Sequence, residues 1–333
     1  MVAPMIRPFG MTNDRREVQA ITLAAGDLRL TLLTLGSITQ DIRLAGIPYG
    51  LTLGGPDLAA YDEGPMRFWG ALVGPVANRI RGASAEIDGV VHRFQPDPGK
   101  DVLLHSGVAG IHRKVWTIAE QTESAATLSV HLPAGEGGFP GNRRITARWE
   151  LGGENTIDLT LEAETDAPTL VNLAHHPYWN LDGTETWAGH VFEAHAPAYL
   201  DAEEGMLTGA IVPVDGTRFD FRAPRPIPSG EGPIDHNLCP ATRRRPLTPV
   251  ARLTGRSGLQ LEVATTEPGL QIYDGERLDE VAGHDGRRFR PYSGFAIEPQ
   301  FWPDAPNHEA FPPIILRPGE AWRQHTRYRF LRA

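Results

Sequence analysis

Asp27–Leu35 reads DLRLTLLTL. Leu28, Leu30, Leu32 and Thr34 fall on one side of an extended chain, the period-2 pattern of a strand with one buried face. Working outward, Ala85–Phe94 (AEIDGVVHRF) carries Asp88-Gly89 between two short β-type runs. That pair signals a hairpin, because both central turn positions need positive φ. Thr117–Glu120, Ala126–Leu132, Arg144–Leu151, Thr156–Glu164, Gly258–Thr265 and Arg323–Phe330 are further β-like runs, separated by Gly, Pro, Asp or Asn. No segment keeps a 3.6-residue apolar period over three turns. Asp57–Phe68 offers at most a short helix, interrupted by Gly64-Pro65. Strands do not alternate with long helical patterns, which argues against a doubly wound sheet or a βα barrel. The pattern predicts an antiparallel all-β protein with very little helix.

The chain has 333 residues, of which 36 are Gly and 29 are Pro, so helices are disfavoured and turns are many. At this mass a folded chain exposes roughly 13,500 Å² of the about 53,000 Å² it shows unfolded, enough for a large core without disulfide or metal support. No sustained linker divides it. Phe219–Pro249, with seven prolines and the Arg243–Arg245 run, reads as a long solvated loop inserted in one domain spanning 1–333. The alternative reading of that Arg run is an anion-binding patch.

A formal charge of −9 argues against sequence-independent binding to nucleic acid or anionic membrane, which needs summed positive charge. One cysteine, Cys239, leaves neither an internal disulfide nor a multi-cysteine zinc site. Neither a signal-peptide core nor a run of about 18 apolar residues is seen, so a cytoplasmic protein is expected.

Nucleophile-elbow, zinc-protease, P-loop and EF-hand patterns are missing. Gly135–Gly141 looks phosphate-cradling, but Pro140 sits where the last dinucleotide-type Gly belongs. His175 and His176 are adjacent, so on a strand they point to opposite faces and cannot readily share one ion. Glu298 lies among Phe295, Ile297, Phe301 and Trp302, surroundings that raise a carboxyl pKa. It is either the partner of an Arg or a tuned acid/base, and His176 is either a packing residue or its counterpart. Tyr178, Trp179, Tyr273 and Trp302 add aromatic faces of the kind that stack on sugars.

Seven ordered blocks then resemble the aldose 1-epimerase family, the mutarotases of galactose-mutarotase type. They are GPVANRIRGASAEIDG from Gly74, LLHSG (Leu103–Gly107), EGGFPGN (Glu136–Asn142), VNLAHHPYWNLDG (Val171–Gly183), IDHNLCP, PGLQIYDG (Pro268–Gly275) and the stretch from Glu298-Pro299-Gln300 to Asn307. The likeness runs from about residue 17 to 331. It implies one large antiparallel β-sandwich, a sugar cleft, no cofactor and no metal, with a hexose or pentose as partner and a monomer or weak dimer as assembly. It implies His176 as general acid and Glu298 as general base. Asn78, Arg79, His105, Asp235 and Gln271 fall at sugar-contacting positions. Four residues depart from the family pattern: Ser106 interrupts the Gly-Gly after His105, and His175, Pro177 and Trp179 replace Asn, Ser and Phe near the acid. These departures are expected to alter the surroundings of the sugar.

Such a pair suits anomer exchange. A base takes the C1 hydroxyl proton while an acid protonates the ring oxygen, and the C1–O5 bond opens. Rotation about C1–C2 and reclosure give the other anomer. A non-catalytic sugar-binding β protein would have no use for the pair. A glycoside hydrolase would need a second carboxylate beside Glu298, from Asp235 or Asp304. A hexose-6-phosphate mutarotase would need an Arg cluster, for which Arg243–Arg245 is the candidate.

Overall fold

The computed structural model describes residues 5–228 and 230–332; Met1–Pro4, Ser229 and Ala333, which the expected domain 1–333 includes, lie outside them. The alternation in Asp27–Leu35 settles into strand Leu28–Leu33, with Leu28, Leu30 and Leu32 fully buried. It is the third strand of a four-stranded sheet after Ile6–Met11 and Glu17–Ala25 and before Ile38–Leu44. The Asp88-Gly89 hairpin forms as expected: Ile87 pairs with Val90, and φ is 49° at Asp88 and 80° at Gly89.

Two larger antiparallel sheets dominate. The nine-stranded one is built around Arg143–Gly152, Thr156–Thr165 and Trp322–Leu331, whose residues alternate between core and solvent. The six-stranded one runs Tyr178–Trp179, Phe295–Gln300, Gly269–Tyr273, Asp235–Cys239, Ala198–Glu203, Met206–Pro213. Phe295, Ile297, Leu270 and Ile272 from the second sheet share one apolar cluster with Trp149, Tyr328 and Phe330 from the first. The inner faces of the two sheets therefore make the core, as in a β-sandwich. Because strand side chains alternate, Glu298 and Gln271 point the other way from Ile297 and Ile272. Helix among the described residues is confined to six three-residue 3₁₀ turns. The short helix expected within Asp57–Phe68 is one of them, Leu58–Ala60, with the Asp57 carboxylate accepting from Ala60 N at 3.2 Å.

The Phe219–Pro249 segment differs from the expected solvated loop. It contains strand Arg225–Pro226 and strand Asp235–Cys239, the latter interior to the six-stranded sheet. Asp235 and Asn237 carry polar groups on one face of a short strand, so the sequence shows no hydrophobic alternation there. Arg244 is not free to bind an anion either. Its guanidinium donates to Glu267, which is fully buried, at 2.8 and 3.2 Å, and lies over the Trp322 and Phe301 rings.

Candidate active site

Three segments distant in sequence converge outside the core. Strand Ala174–His175 pairs with Leu72–Val73, and the next residue is held on both sides: His176 N donates to Ala71 O at 2.9 Å, and Gly70 N donates to His176 O at 2.8 Å. Glu298 sits in a strand whose six residues are all buried. Across the sheet Gln271 is paired with Glu298 on one side and with Asn237 on the other, so the three share a face. His176 Nε2 is 3.5 Å from Glu298 Oε1, while His176 Nδ1 and Glu298 Oε2 have no protein partner although both are buried.

Burial dominates the electrostatics of this pair. It pushes the His176 imidazole down to about 4, against smaller opposing effects of its own backbone and the Asp235 carboxylate. It pushes the Glu298 carboxyl well above its ordinary range; Asp235 adds to this and Arg79 opposes it. The pair therefore prefers its neutral arrangement, with one proton held on Glu298. Moving that proton to His176 creates an ion pair without changing the net charge.

The surrounding polar groups are fixed by one another. Asp235 Oδ2 accepts from both Arg79 Nη atoms at 3.3 Å, and Asp235 Oδ1 accepts from Gln271 Nε2 at 2.6 Å. Asn78 N donates to His105 Nδ1 at 3.1 Å, and His105 N donates to Asn78 O at 2.8 Å. Burial keeps His105 neutral, with lesser contributions from His176 and nearby cations. With Nδ1 accepting, the ring proton resides on Nε2, which makes His105 a donor. Thus His176, Glu298, Asn78, Arg79, His105, Asp235 and Gln271 form linked groups.

Ser106 is accommodated without the expected Gly. It has φ 67°, and its hydroxyl accepts from Val76 N at 2.7 Å and donates to Val76 O at 3.1 Å. These bonds offset a left-handed conformation that costs a non-Gly residue about 1–2 kcal/mol.

Two of the other departures, His175 and Trp179, face away from the cleft, contrary to expectation. His175 Nε2 lies 2.9 Å from Thr39 Oγ1, its Nδ1 lies 3.0 Å from the Tyr328 hydroxyl, and its ring meets Trp149 edge-on. Trp179 is fully buried against Tyr328 and Phe330. Strand alternation sends both inward. Trp302 is 1% exposed, with its indole N–H donating to Pro268 O, so neither tryptophan offers a face to a ligand. Tyr178 and Tyr273 remain at the site, with Tyr178 5.1 Å from the His176 ring.

Phe68 and Asn172 escaped sequence reasoning. Phe68 lies nearly parallel to His176 at 6.4 Å and packs on His105 at 4.8 Å and His112 at 4.7 Å. Asn172 clamps two site segments: its backbone bonds Pro75 and Ala77, and its side chain bonds the Phe301 N and O. The signal for Asn172 is its place inside the matched block Val171–Gly183, and for Phe68 its nearness to the block from Gly74. Among the described residues no three His, Cys, Asp or Glu side chains gather in a way that could hold a metal ion.

The aldose 1-epimerase family model matches residues 19–329. The chain belongs to the aldose 1-epimerase family. It is 33% identical to galactose mutarotase of Rattus norvegicus over 328 residues, 94% of each chain. It is 32% identical to aldose 1-epimerase of Escherichia coli over 279 residues, 79% of this chain and 80% of that one. Among solved structures, an aldose epimerase homologue from C. elegans superposes with a TM-score of 0.87 at 28% identity, covering 94% of this chain and 99% of that one. Galactose 1-epimerase from Lactobacillus acidophilus shares the fold, with a TM-score of 0.82 at 24% identity and 98% coverage of both. This epimerase-family chain is therefore an isomerase of the mutarotase class with a galactose-mutarotase fold.

Proposed function

We propose that the protein interconverts the α and β anomers of a free hexose or pentose, with His176 as acid and Glu298 as base. The observation that carries this is the 3.5 Å approach of two buried groups whose remaining polar atoms have no protein partner. In the ionic arrangement Glu298 removes the C1 hydroxyl proton as His176 protonates the ring oxygen, and the C1–O5 bond breaks. The proton then rests on Glu298, which is the arrangement burial favours, so the site complements the open-chain aldehyde. Reclosure on the other carbonyl face returns it. Arg79 favours an ionised Glu298, whereas Asp235 favours a charged His176 but opposes ionisation of Glu298, so of the two proposed hydroxyl anchors Arg79 stabilises the carboxylate and Asp235 the imidazolium. Neither a cofactor nor a metal has a role in these steps.

The names of the rat and Escherichia coli relatives support this reading of the substrate. Asp304 is a poor second carboxylate for a hydrolase, because its Oδ1 already accepts from Arg81 N and Asn307 Nδ2. Arg244, in the Arg run a phosphosugar enzyme would use, is committed to Glu267. We read residues 1–333 as one domain of a cytoplasmic monomer or weak dimer, without nucleic-acid or membrane partners. Polarimetry on fresh α-D-glucose, α-D-galactose and pentoses tests the activity. Faster mutarotation is expected with at least one sugar, and no acceleration across the panel would overturn the reading.

A further inference from the structure

Strand Phe295–Gln300 carries two polar side chains, Glu298 and Gln300, among otherwise apolar ones. Phe295 and Ile297 belong to the core between the sheets. Alternation therefore puts Glu298 and Gln300 together on the opposite face, about 6.8 Å apart along the strand. Two side chains of that length can meet across such a gap.

Gln300 is fully buried, and neither its Nε2 nor its Oε1 has a protein partner. The reason is local. Across the strand pair stands Gly269, which has no side chain to offer. A Cβ there would come within 2.8 Å of Asn237 Oδ1 and 3.1 Å of Trp302 Cδ1, so the position admits only glycine. Asn172, bonded to the next residue along, commits its amide to Phe301 N and O. A buried amide without a partner is unfavourable, because it has lost water and gained no bond in return.

Glu298 has the complementary lack. Its Oε2 is buried without a donor, while Oε1 faces His176. Ionising Glu298 creates a buried charge that needs one. The other amide and guanidinium groups around it are committed. Gln271 Nε2 and both Arg79 Nη atoms donate to Asp235, and Asn237 Nδ2 donates to Leu238 O. Gln300 holds the free donor.

We propose that Gln300 is a positioning residue for the base: as the proton passes from Glu298 to His176, the Gln300 amide turns and donates from Nε2 to Glu298 Oε2. The bond holds the carboxylate in the orientation that takes the C1 hydroxyl proton, and it weakens when Glu298 is protonated again. Gln300 itself exchanges no proton and, being fully buried, does not touch the sugar. The proposal rests on the acid/base reading above.

Steady-state polarimetry and an infrared titration of the sugar-free protein test this together. The Glu298 carboxyl band is assigned by its disappearance in Glu298→Gln. Gln300→Met keeps the length of the side chain and removes the donor, whereas Gln300→Glu keeps its shape and replaces the amide by an acid. Each should lower kcat by at least about tenfold with KM held within about twofold. Each should move the ionisation of Glu298 to higher pH, Gln300→Glu furthest, because a second carboxylate opposes the charge. Wild-type kcat in Gln300→Met overturns the proposal. So does wild-type kcat in Gln300→Glu, since a residue needed for shape alone is replaced by its isostere without loss. Should Gln300→Glu fail to fold, Gln300→Met decides alone. Unchanged ionisation of Glu298 in Gln300→Met overturns the proposal whatever the kinetics. A wild type inactive on every sugar would instead remove the acid/base reading, and the titration would still decide whether Gln300 donates to Glu298.

Discussion

His176 Nε2 and Glu298 Oε1 approach to 3.5 Å from segments far apart in sequence, and each side chain keeps a second buried polar atom free of protein partners. A structural ion pair would have those atoms satisfied. If the two are acid and base, His176→Ala and Glu298→Gln should each lower kcat by at least about 10² in a polarimetric assay. Near wild-type turnover in either variant would remove that residue from its role.

The protonation of the pair gives a pH dependence. A second proton binds His176 only as pH falls through about 4, because burial holds its pKa down. Glu298 gives up the single proton only well above the ordinary carboxylate range. The one-proton form therefore persists through the range where an exposed histidine titrates. The acid limb of kcat/KM should fall near pH 4 and be flat around 6.5; a limb centred near 6.5 would contradict the neutral arrangement.

Asp235 is gripped by Arg79 through one oxygen and by Gln271 through the other. Asp235→Ala frees both partners and removes the carboxylate that favours a charged His176. Steady-state kinetics should show KM raised and kcat lowered, each by about tenfold or more. A variant with unchanged KM would show that the sugar is anchored elsewhere.

His175 contributes to stability rather than to the cleft. Burial lowers its pKa to about 3, so the folded protein keeps it neutral where the unfolded chain, near 6.5, takes up a proton. The unfolded state binds more protons below pH 6.5, and stability falls as pH drops through that window toward 3. At pH 5 this one group costs about 2 kcal/mol relative to neutral pH. His175→Asn should show a smaller loss of denaturant stability between pH 7 and 5 than wild type; an equal loss would be incompatible with a neutral buried His175.

Arg244→Ala would strand the Glu267 carboxylate in a fully buried position. Chemical denaturation should show a loss of about 3–5 kcal/mol, with KM for the sugar unchanged. A raised KM at undiminished stability would return the Arg run to the site.

Arg143–Gly152, Thr156–Thr165 and Trp322–Leu331 were legible as strands because each has one wet face and one dry face. Asp235–Cys239 was hidden, because one face meets the core and the other carries the polar groups of the cleft. The same double burial gives Phe295–Gln300 no alternation at all. Glu298 and His176 stood out as candidates from their surroundings, but their roles and the other five candidate site residues were legible only through resemblance to a family. Phe68 and Asn172 were not, since an aromatic near a turn and an amide in a β run have many ordinary uses. Trp179 and Trp302 show the converse: their residue type suits sugar stacking, but strand alternation buries Trp179, and Trp302 is buried with its indole N–H on Pro268 O.

The sequence by itself determined the antiparallel β class, the Asp88-Gly89 turn and the opposite facing of His175 and His176. Each follows from rules acting over a few residues: side-chain alternation and the φ a turn demands. Tertiary structure alone decided that His176 meets Glu298 and that Asp235 lies between Arg79 and Gln271. It also decided where the protons sit, because burial and neighbouring charge exist only after distant strands have packed.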